Sequence, residues 1–381
     1  MYGRKILCGA VASIMTTVLA ACGSGGTPAA TPAATVIRLG TLVPLSGRSS
    51  HSGESMLRGA ELAVSEANAA GGVLGRQIEL VAEDDACDPG TAVTAAQDMT
   101  KKDIVATVGG YCSSAVVPTL KIFRDAGVPM IVAQANSTDL IAPKYDSVFL
   151  ICGTVAAEAT FAVGWMKRLG GRRLAVVHDG TSFPMTLADS TVADARRTGA
   201  LTVTAELKLS QGAPSYRRIA DTVRAGGADI VYYTGYYAEA NQLIKDLRGR
   251  GFTGKIVVGD GATDGPLLTD LTAEQRRGVY GTALIFPQFM PGIEDWTSRY
   301  RAAYGSAPGP STVESYDAVR VALDAIKRAG SVEHEAVRAA ITTTDLAGTS
   351  GPIGFNHDGT RTKPTFLMLH ANGDAFELQK S

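Results

Sequence analysis

The sequence predicts an α/β protein with two doubly wound lobes, and three observations lead to this prediction. Short apolar runs alternate with segments of period 3.6 along most of the 381 residues, a pattern typical of parallel sheets covered by helices. The alternation occurs in two series, one before and one after Cys152. The composition, 45% hydrophobic and 19% charged, is that of a folded chain, and this length corresponds to two or three folded units.

Each series predicts its own parallel sheet. The first has strands at 37–43, 77–82, 104–108 and 129–133 and helices at 53–68, 90–101 and 114–126. The second has helices at 155–169, 184–198, 216–225 and 237–249 and strands at 173–178, 201–207, 229–233 and 255–258. A helical stretch at 294–341 and a strand at 364–370 follow. Because ligands bind beyond the carboxyl ends of such strands, the loops after them are where a site is expected.

The N-terminus has the pattern of an export signal. Arg4 and Lys5 precede an uncharged, largely apolar run, 6–21, which is too short and wrongly flanked for a membrane-spanning helix. The run ends in Leu-Ala-Ala followed by Cys22, which resembles the bacterial lipobox, in which the cysteine is lipidated. A plain secretory signal that happens to contain a cysteine is the alternative.

We therefore expect three parts before the folded body. Residues 1–21 are the signal peptide, Cys22 carries the lipid, and the rest of 22–35 is a flexible tether rich in Gly, Pro, Ala and Thr. Such a protein is exported and held on the cell membrane by acyl chains, facing the periplasm or the cell exterior.

Three cysteines remain in this oxidising compartment, so one pair and one free thiol are expected. Cys87 and Cys112 each follow a strand-like run, and the strand ends of one sheet bring them together. Cys152 follows an apolar run and is interpreted as a buried free thiol at the end of a strand; a reactive role is the less favoured interpretation.

The charge and motif content argue against several functions. Thirty-six basic and 37 acidic residues, with no basic block, do not favour nucleic-acid binding. Residues 249–255 have the glycine and lysine spacing of a phosphate loop, but Ile256 replaces the required Ser or Thr and the segment precedes a strand. The sequence has no HExxH, CxxC or GxSxG motif. We therefore expect no metal, no cofactor and no catalytic residues.

Six short motifs occur in order along the chain. They are Asp84-Asp85-Ala86-Cys87-Asp88-Pro89, Tyr111-Cys112-Ser113-Ser114, Ala175-Val176-Val177-His178-Asp179, Ile230-Val231-Tyr232-Tyr233-Thr234-Gly235-Tyr236, Gly351-Pro352 and His370-Ala371-Asn372-Gly373. In order and spacing they resemble one family, the leucine/isoleucine/valine-binding proteins, which serve ABC importers. The resemblance extends from about Val36 to Ala375. It implies the type I periplasmic-binding fold and supports the pairing of Cys87 with Cys112.

The resemblance also implies how the body is organised and what it does. Three crossovers form the hinge, with lobe one at 36–153 plus 285–361 and lobe two at 154–284 plus 362–381. A monomer closes its lobes on a small amino acid-like ligand and delivers it to the permease subunits of an ABC transporter. No enzyme activity is implied.

The resemblance places the ligand's head group near four residues. Ser113 matches the serine that binds the ligand carboxylate, although a plain helix N-cap is the alternative. Asp260 matches the acid that binds the ligand ammonium; a Gly-Asp-Gly turn is the alternative. Asn136 stands where the family has a threonine, and Gln134 where it usually has a small residue.

Four further residues are predicted around the rest of the ligand. Tyr236 and Phe183 match aromatic positions and are expected to be apolar walls, with core or rim packing as the alternative. Ser52 and Ser311 stand where branched-chain binders tend to have aromatics. A roomier and more polar pocket is therefore expected, in which a leucine-type side chain would leave hydroxyls unpaired at about 1–3 kcal/mol each.

Two other functions remain open from the sequence. A protein of the same fold can sense an amide- or urea-type solute and signal to a partner. A secreted α/β enzyme is less favoured, and turnover of a substrate would identify it.

Overall fold

The apolar runs pair into two separate sheets in the computed structural model, which describes residues 36–284 and 286–380. The signal peptide, Cys22 and the tether lie outside the described residues. The first sheet contains β1 (Ile37–Val43), β2 (Ile78–Asp84), β3 (Ile104–Thr107), β4 (Met130–Val132) and β5 (Val148–Leu150). All of its strands are parallel, in the order β2-β1-β3-β4-β5. Its connections contain helices α1 (Ser50–Ala69), α2 (Pro89–Met99), α3 (Ser113–Val116) and α4 (Leu120–Asp125).

The second sheet starts after the chain leaves β5. It contains the parallel strands β6 (Arg173–His178), β7 (Thr202–Lys208), β8 (Ile230–Tyr233), β9 (Lys255–Val258) and β10 (Val279–Ala283). The helices α5 (Val155–Arg168), α6 (Ser182–Thr198), α7 (Arg217–Ala225), α8 (Tyr237–Gly249) and α9 (Ala273–Arg276) accompany these strands.

After β10 the chain returns to the first sheet. It forms α10 (Glu294–Tyr304), α11 (Thr312–Ala329), α12 (His334–Thr342) and a hairpin of β11 (Leu346–Gly348) and β12 (Gly351–Ile353). Helix α11 packs on α1, and α12 packs on β3. Finally β13 (Leu367–Asn372) and β14 (Ala375–Leu378) add to the second sheet as antiparallel strands beside β10.

The chain therefore passes three times between the sheets, after β5, after β10 and after β12. We call the first sheet with its helices lobe one and the second sheet with its helices lobe two. The predicted fold class, an α/β protein with two doubly wound lobes joined by a three-crossover hinge, is confirmed.

The predicted elements differ from the structure at a few places, with local causes. The helix expected at 114–126 is divided, because Pro118 cannot continue the backbone hydrogen-bond ladder and the chain forms a 3₁₀ turn there. The stretch at 294–341 contains three helices, two of which end at Gly305 and Gly330 in the left-handed conformation (φ 68° and 61°). Strand β10 was not predicted, because Gly281 interrupts its short apolar run.

Local sequence also fixes the helix starts that border the cleft. The Asp88 side chain accepts a hydrogen bond from the Thr91 N–H at 2.8 Å, and Pro89 occupies the first turn of α2. At the start of α5, the Thr154 hydroxyl accepts from the Ala157 N–H at 3.3 Å. These caps place the preceding loops at the carboxyl ends of their strands.

Candidate ligand-binding site

Two polar loops from opposite lobes meet at the carboxyl ends of β4 and β9. Gln134 Nε2 and Asn136 Nδ2, after β4, each donate to Oδ2 of Asp260, after β9, at 3.3 Å. All three side chains are buried. The predicted head-group residues of the two lobes are therefore in direct contact, and the Gly-Asp-Gly turn also presents its carboxylate to the other lobe.

Aromatic rings enclose a small cavity at this contact. Besides the three polar residues, Tyr111, Phe183, Tyr236 and Gly261 line it. The Tyr236 ring lies between the other two, with centroids 5.9 Å from Tyr111 and 5.8 Å from Phe183. Its buried hydroxyl has no hydrogen-bond partner among the described residues. Tyr236 and Phe183 thus wall the cavity as well as packing in the core, and the Tyr236 hydroxyl is available to a solute.

Gly261 permits the close approach of the loop after β9. A Cβ atom there would lie 2.8 Å from Cε1 of Phe183 and 3.3 Å from Cδ1 of Tyr236. Its carbonyl oxygen accepts from the Tyr111 hydroxyl of lobe one at 3.3 Å. A side chain at this position would therefore press on the cavity wall.

Ser113 lies beside the cavity, at the start of the short helix α3. The helix N-cap is Cys112, so the alternative interpretation of Ser113 as a plain helix N-cap is wrong. Its buried Oγ instead accepts from the Ser137 N–H at 3.3 Å. Ser137 in turn is reached by the Ser182 hydroxyl of lobe two at 2.8 Å, so Ser113 belongs to a second polar contact between the lobes.

Ser52 and Ser311 flank the site but are already hydrogen-bonded. Ser52 Oγ donates to Asp264 Oδ2 at 2.6 Å, and Ser311 Oγ donates to Gln134 Oε1 at 2.7 Å. The expectation that an apolar ligand side chain would leave these hydroxyls unpaired is therefore wrong. Their surroundings are nevertheless polar, as predicted, because both serines face charged or amide groups. Ser311 also has a positive φ of 61°, a conformation that non-glycine residues seldom adopt.

Several contributors were missed by sequence reasoning. Tyr111 lies in one of the quoted motifs and Asp264 lies in the loop after β9, but neither was assigned a role in the site. Arg48 of lobe one forms an ion pair with Glu239 of lobe two at 2.7 Å. Glu158 is the least expected: it lies in the first turn of α5, on the same face as the apolar residues of that helix. An acid at a helical core position was the available signal for it.

Burial controls the protonation of the acids at the site. It raises the pKa of Asp260 well above the ordinary value, and the charge of Glu158 raises it further. Burial likewise raises the pKa of Glu158. The ring of Tyr111 is also buried, and its pKa is raised for the same reason, so its hydroxyl acts as a neutral donor.

A wider polar cavity lies between the lobes beside this site. Tyr236 borders both cavities, and Arg48 and Glu239 line the wider one together with the disulfide. The predicted disulfide between Cys87 and Cys112 is present, with Cα atoms 5.3 Å apart. It ties the loop after β2 to the residue preceding Ser113. Cys152 is free and buried, as predicted.

Two features are absent from residues 36–284 and 286–380. No helix among them is long and apolar enough to cross a membrane. They contain no group of three or more His, Cys, Asp or Glu side chains that could hold a metal ion.

Known proteins resemble this chain over almost its whole described length. A family model described as periplasmic binding protein matches residues 36–374. An amino acid binding protein of Pseudomonas aeruginosa is 30% identical over 296 residues, which is 77% of this chain and 79% of that protein. A leucine-, isoleucine-, valine-, threonine- and alanine-binding protein of the same organism is 26% identical over 347 residues, covering 90% and 92% of the two chains.

Solved structures agree on the fold. The crystal structure of a leucine-binding protein from Thermotoga maritima superposes with a TM-score of 0.83 at 24% identity, covering 91% of this chain and 98% of that one. The resemblance to the leucine/isoleucine/valine-binding proteins is therefore confirmed. The chain belongs to the periplasmic binding protein family, whose members bind solutes outside the cytoplasm.

Proposed function

We propose that this protein is a lipid-anchored solute receptor of an ABC importer. It binds a small amino acid-like ligand between its lobes and delivers it to the membrane permease by hinge closure. The observation that carries the proposal is the contact of Asp260 with Gln134 and Asn136. Polar groups of both lobes converge there on one cavity, which is the arrangement that a ligand-driven closure requires.

The head group of the ligand is assigned to this contact. Asp260 receives the ligand ammonium, and the amide nitrogens that now bind Asp260 turn to the ligand when it enters. The carboxylate is received near Ser113, where the Ser113 hydroxyl and backbone N–H, at the start of α3, serve as donors. Tyr236 adds its hydroxyl, which has no partner among the described residues.

The tail of the ligand is assigned to the polar side of the site. Ser311 and Gln134 bond to each other there, and Ser52 bonds to Asp264. The leucine-binding relatives suggest an aliphatic tail, but these groups favour a shorter or more polar one. A small polar amino acid therefore fits this lining better than leucine.

Closure is stabilised by contacts at the rim as well as at the ligand. Ser52 and His51 of α1 both contact Asp264 Oδ2, at 2.6 and 3.2 Å. Arg48 pairs with Glu239, although an exposed guanidinium makes such a pair worth only about 0–1 kcal/mol. Because these contacts are individually modest, the ligand decides whether the closed state predominates.

The lobe limits are proposed as in the family. Lobe one comprises 36–153 plus 285–361, and lobe two comprises 154–284 plus 362–381. The protein acts as a monomer, since one chain supplies both lobes of the cleft. It requires no cofactor.

Attachment to the membrane is proposed through Cys22. Removal of 1–21 leaves this cysteine at the N-terminus, and the remainder of 22–35 separates the body from the membrane. A wild-type protein should partition into the detergent phase of Triton X-114, and Cys22→Ser should remain in the aqueous phase. Equal partitioning of both would contradict the lipid anchor.

The binding function is tested by thermal unfolding with a panel of L-amino acids and small amides. A ligand at 100 times its Kd stabilises the protein by about 2.7 kcal/mol, which is easily visible as a rise in Tm. Gly261→Ala, which crowds the cavity wall, should abolish the shift, whereas Gly249→Ala on the far end of α8, where a Cβ meets nothing within 4 Å, should retain it. A panel without any stabilising member would refute the proposal.

The polar lining of the site is also compatible with a second function, that of a solute sensor. A sensor for an amide- or urea-type solute would use the same amide and hydroxyl groups. Stabilisation by amides but not by amino acids, with no importer genes beside the coding sequence, would favour the sensor.

A further inference from the structure

Glu158 lies directly behind the proposed ammonium-binding residue. Its Oε1 atom accepts from the backbone N–H of Asp260 at 2.9 Å and from the Thr282 hydroxyl at 2.6 Å. The Tyr232 hydroxyl is a third, longer donor at 3.4 Å. Glu158 is fully buried, so α5 delivers a second carboxyl group to the base of the site.

The two carboxyl groups have no cation to neutralise them. Across residues 36–284 and 286–380, neither Asp260 nor Glu158 forms an ion pair with a lysine, arginine or histidine. The Oε2 atom of Glu158 is buried and has no hydrogen-bond donor among these residues. Burial and mutual repulsion disfavour ionisation of both neighbouring carboxyl groups at once.

We propose that Glu158 and Asp260 share one proton in the solute-free protein, and that a cationic head group displaces this proton into solvent when it binds. The proposal rests on the proposed function, because it assumes that Asp260 faces the solute. The charge balance is simple: the pair changes from −1 to −2, the ammonium adds +1, and the proton passes to the buffer. Glu158 is thus a positioning residue that makes binding selective for charge and dependent on pH.

The surroundings of the pair support this assignment. Burial is the main cause that raises the pKa of each carboxyl group, and their mutual repulsion adds to it for Asp260. Glu314 of α11 raises the pKa of Asp260 further. Among the described residues, the neutral groups beside the pair include Gln134, Asn136, Thr282, Tyr111, Tyr232, Tyr236 and the buried thiol of Cys152.

A shared proton has consequences for solute choice. A 2-hydroxy acid, which has a hydroxyl in place of the ammonium, leaves the proton on the pair. An α-amino acid must release it, so its affinity should fall by up to tenfold for each pH unit below the pKa of the pair. The pair therefore distinguishes amino acids from their hydroxy acids by a difference that changes with pH.

The first test uses the protein without solute. A carboxyl group that is protonated in the folded protein ionises when the protein unfolds. The folded state therefore becomes less stable as the pH rises above the ordinary carboxyl pKa of about 4. Relative to wild type, Glu158→Gln should therefore gain in Tm between pH 4.5 and 7.5. Asp260→Asn should show the same gain in Tm. This second variant provides the test if Glu158→Gln does not fold.

The control for this test is Asp246→Asn. Asp246 is a buried acid of lobe two that accepts from the Tyr216 N–H at 2.5 Å and lies 3.7 Å from Arg217. Because this variant keeps both Glu158 and Asp260, its Tm should fall with rising pH in the same way as that of the wild-type protein. Parallel curves for wild type, Glu158→Gln and Asp260→Asn would overturn the shared proton, whether or not any solute is known.

The second test measures protons released on binding. Titration calorimetry with L-threonine at pH 6 to 7, in buffers of different ionisation enthalpy, should give about one proton released per solute bound by wild type. Glu158→Gln should release less than half of that, and Asp246→Asn should match wild type. No release by wild type, or full release by Glu158→Gln, would overturn the proposal.

Different results would refute the binding function and the shared proton. If L-threonine and the other amino acids do not bind, the proposed function fails, while the solute-free curves still decide the shared proton. If amino acids bind without proton release, the receptor function stands and the role of Glu158 is refuted.

Discussion

Replacing Asp260 by asparagine separates recognition of an ammonium group from general binding in the cleft. The carboxylate is buried and, within residues 36–284 and 286–380, accepts two long hydrogen bonds of 3.3 Å from the opposite lobe. Removing one partner of a buried charge pair costs about 3–5 kcal/mol. In the wild-type protein, the ligand must also break the two amide hydrogen bonds to Asp260. Their loss reduces the binding free energy gained from Asp260 by about 1–2 kcal/mol.

The net loss for an α-amino acid is therefore about 1–4 kcal/mol, or roughly 5- to 700-fold in Kd at about 1.4 kcal/mol per factor of ten. For the matching 2-hydroxy acid, which has no ammonium, the change should be within about threefold. Titration calorimetry of Asp260→Asn with L-threonine and its 2-hydroxy analogue measures both values. Asp246→Asn, on the same lobe but away from the cleft, should bind both ligands as wild type does. Equal losses for the two ligands would refute the role of Asp260.

Three further predictions concern groups outside that contact. Reducing the disulfide between Cys87 and Cys112 should lower the free energy of unfolding by about 3 kcal/mol for a 25-residue separation. The reductant should therefore lower the Tm of the wild-type protein and leave unchanged the Tm of a variant in which both cysteines are replaced. Cys152, fully buried and with its thiol pKa raised by burial, should not react with Ellman's reagent until the protein unfolds; rapid labelling of the native protein would contradict its place in the core. The hydrogen bond to Asp264 raises the pKa of His51, so the stability from this contact is complete below about pH 6.5 and declines as the pH rises through the higher folded pKa. His51→Gln should remove that decline, and an unchanged pH profile of Tm would exclude the contact.

The regular elements could be predicted because their signal is local. The alternation of apolar runs and helical periodicity places β6, α8 and β9 at the residues where the structure has them. Helix ends were less certain, since a proline such as Pro118 changes the hydrogen-bond pattern without changing the apolar period. Strand β10 was missed because Gly281 interrupts its short apolar run, so the local signal there is weak.

The site could be predicted only in part, because contacts between the lobes are not encoded in any single segment. Loops after strands, together with the resemblance, indicated Asp260 and Asn136 separately. Their direct contact, and the bond between Ser311 and Gln134, depend on how the closed lobes meet. Glu158 lies on a helix rather than in a strand-end loop, so the rule that located the other residues did not apply to it.

A crystal structure with the tightest-binding solute tests the central claim most directly. The account predicts one solute between the lobes, with its cationic group within hydrogen-bond distance of Asp260 and its acidic group near Ser113. Tyr236 and Phe183 should enclose it from lobe two. A solute that contacts only one lobe, or that binds away from Asp260, would contradict the account.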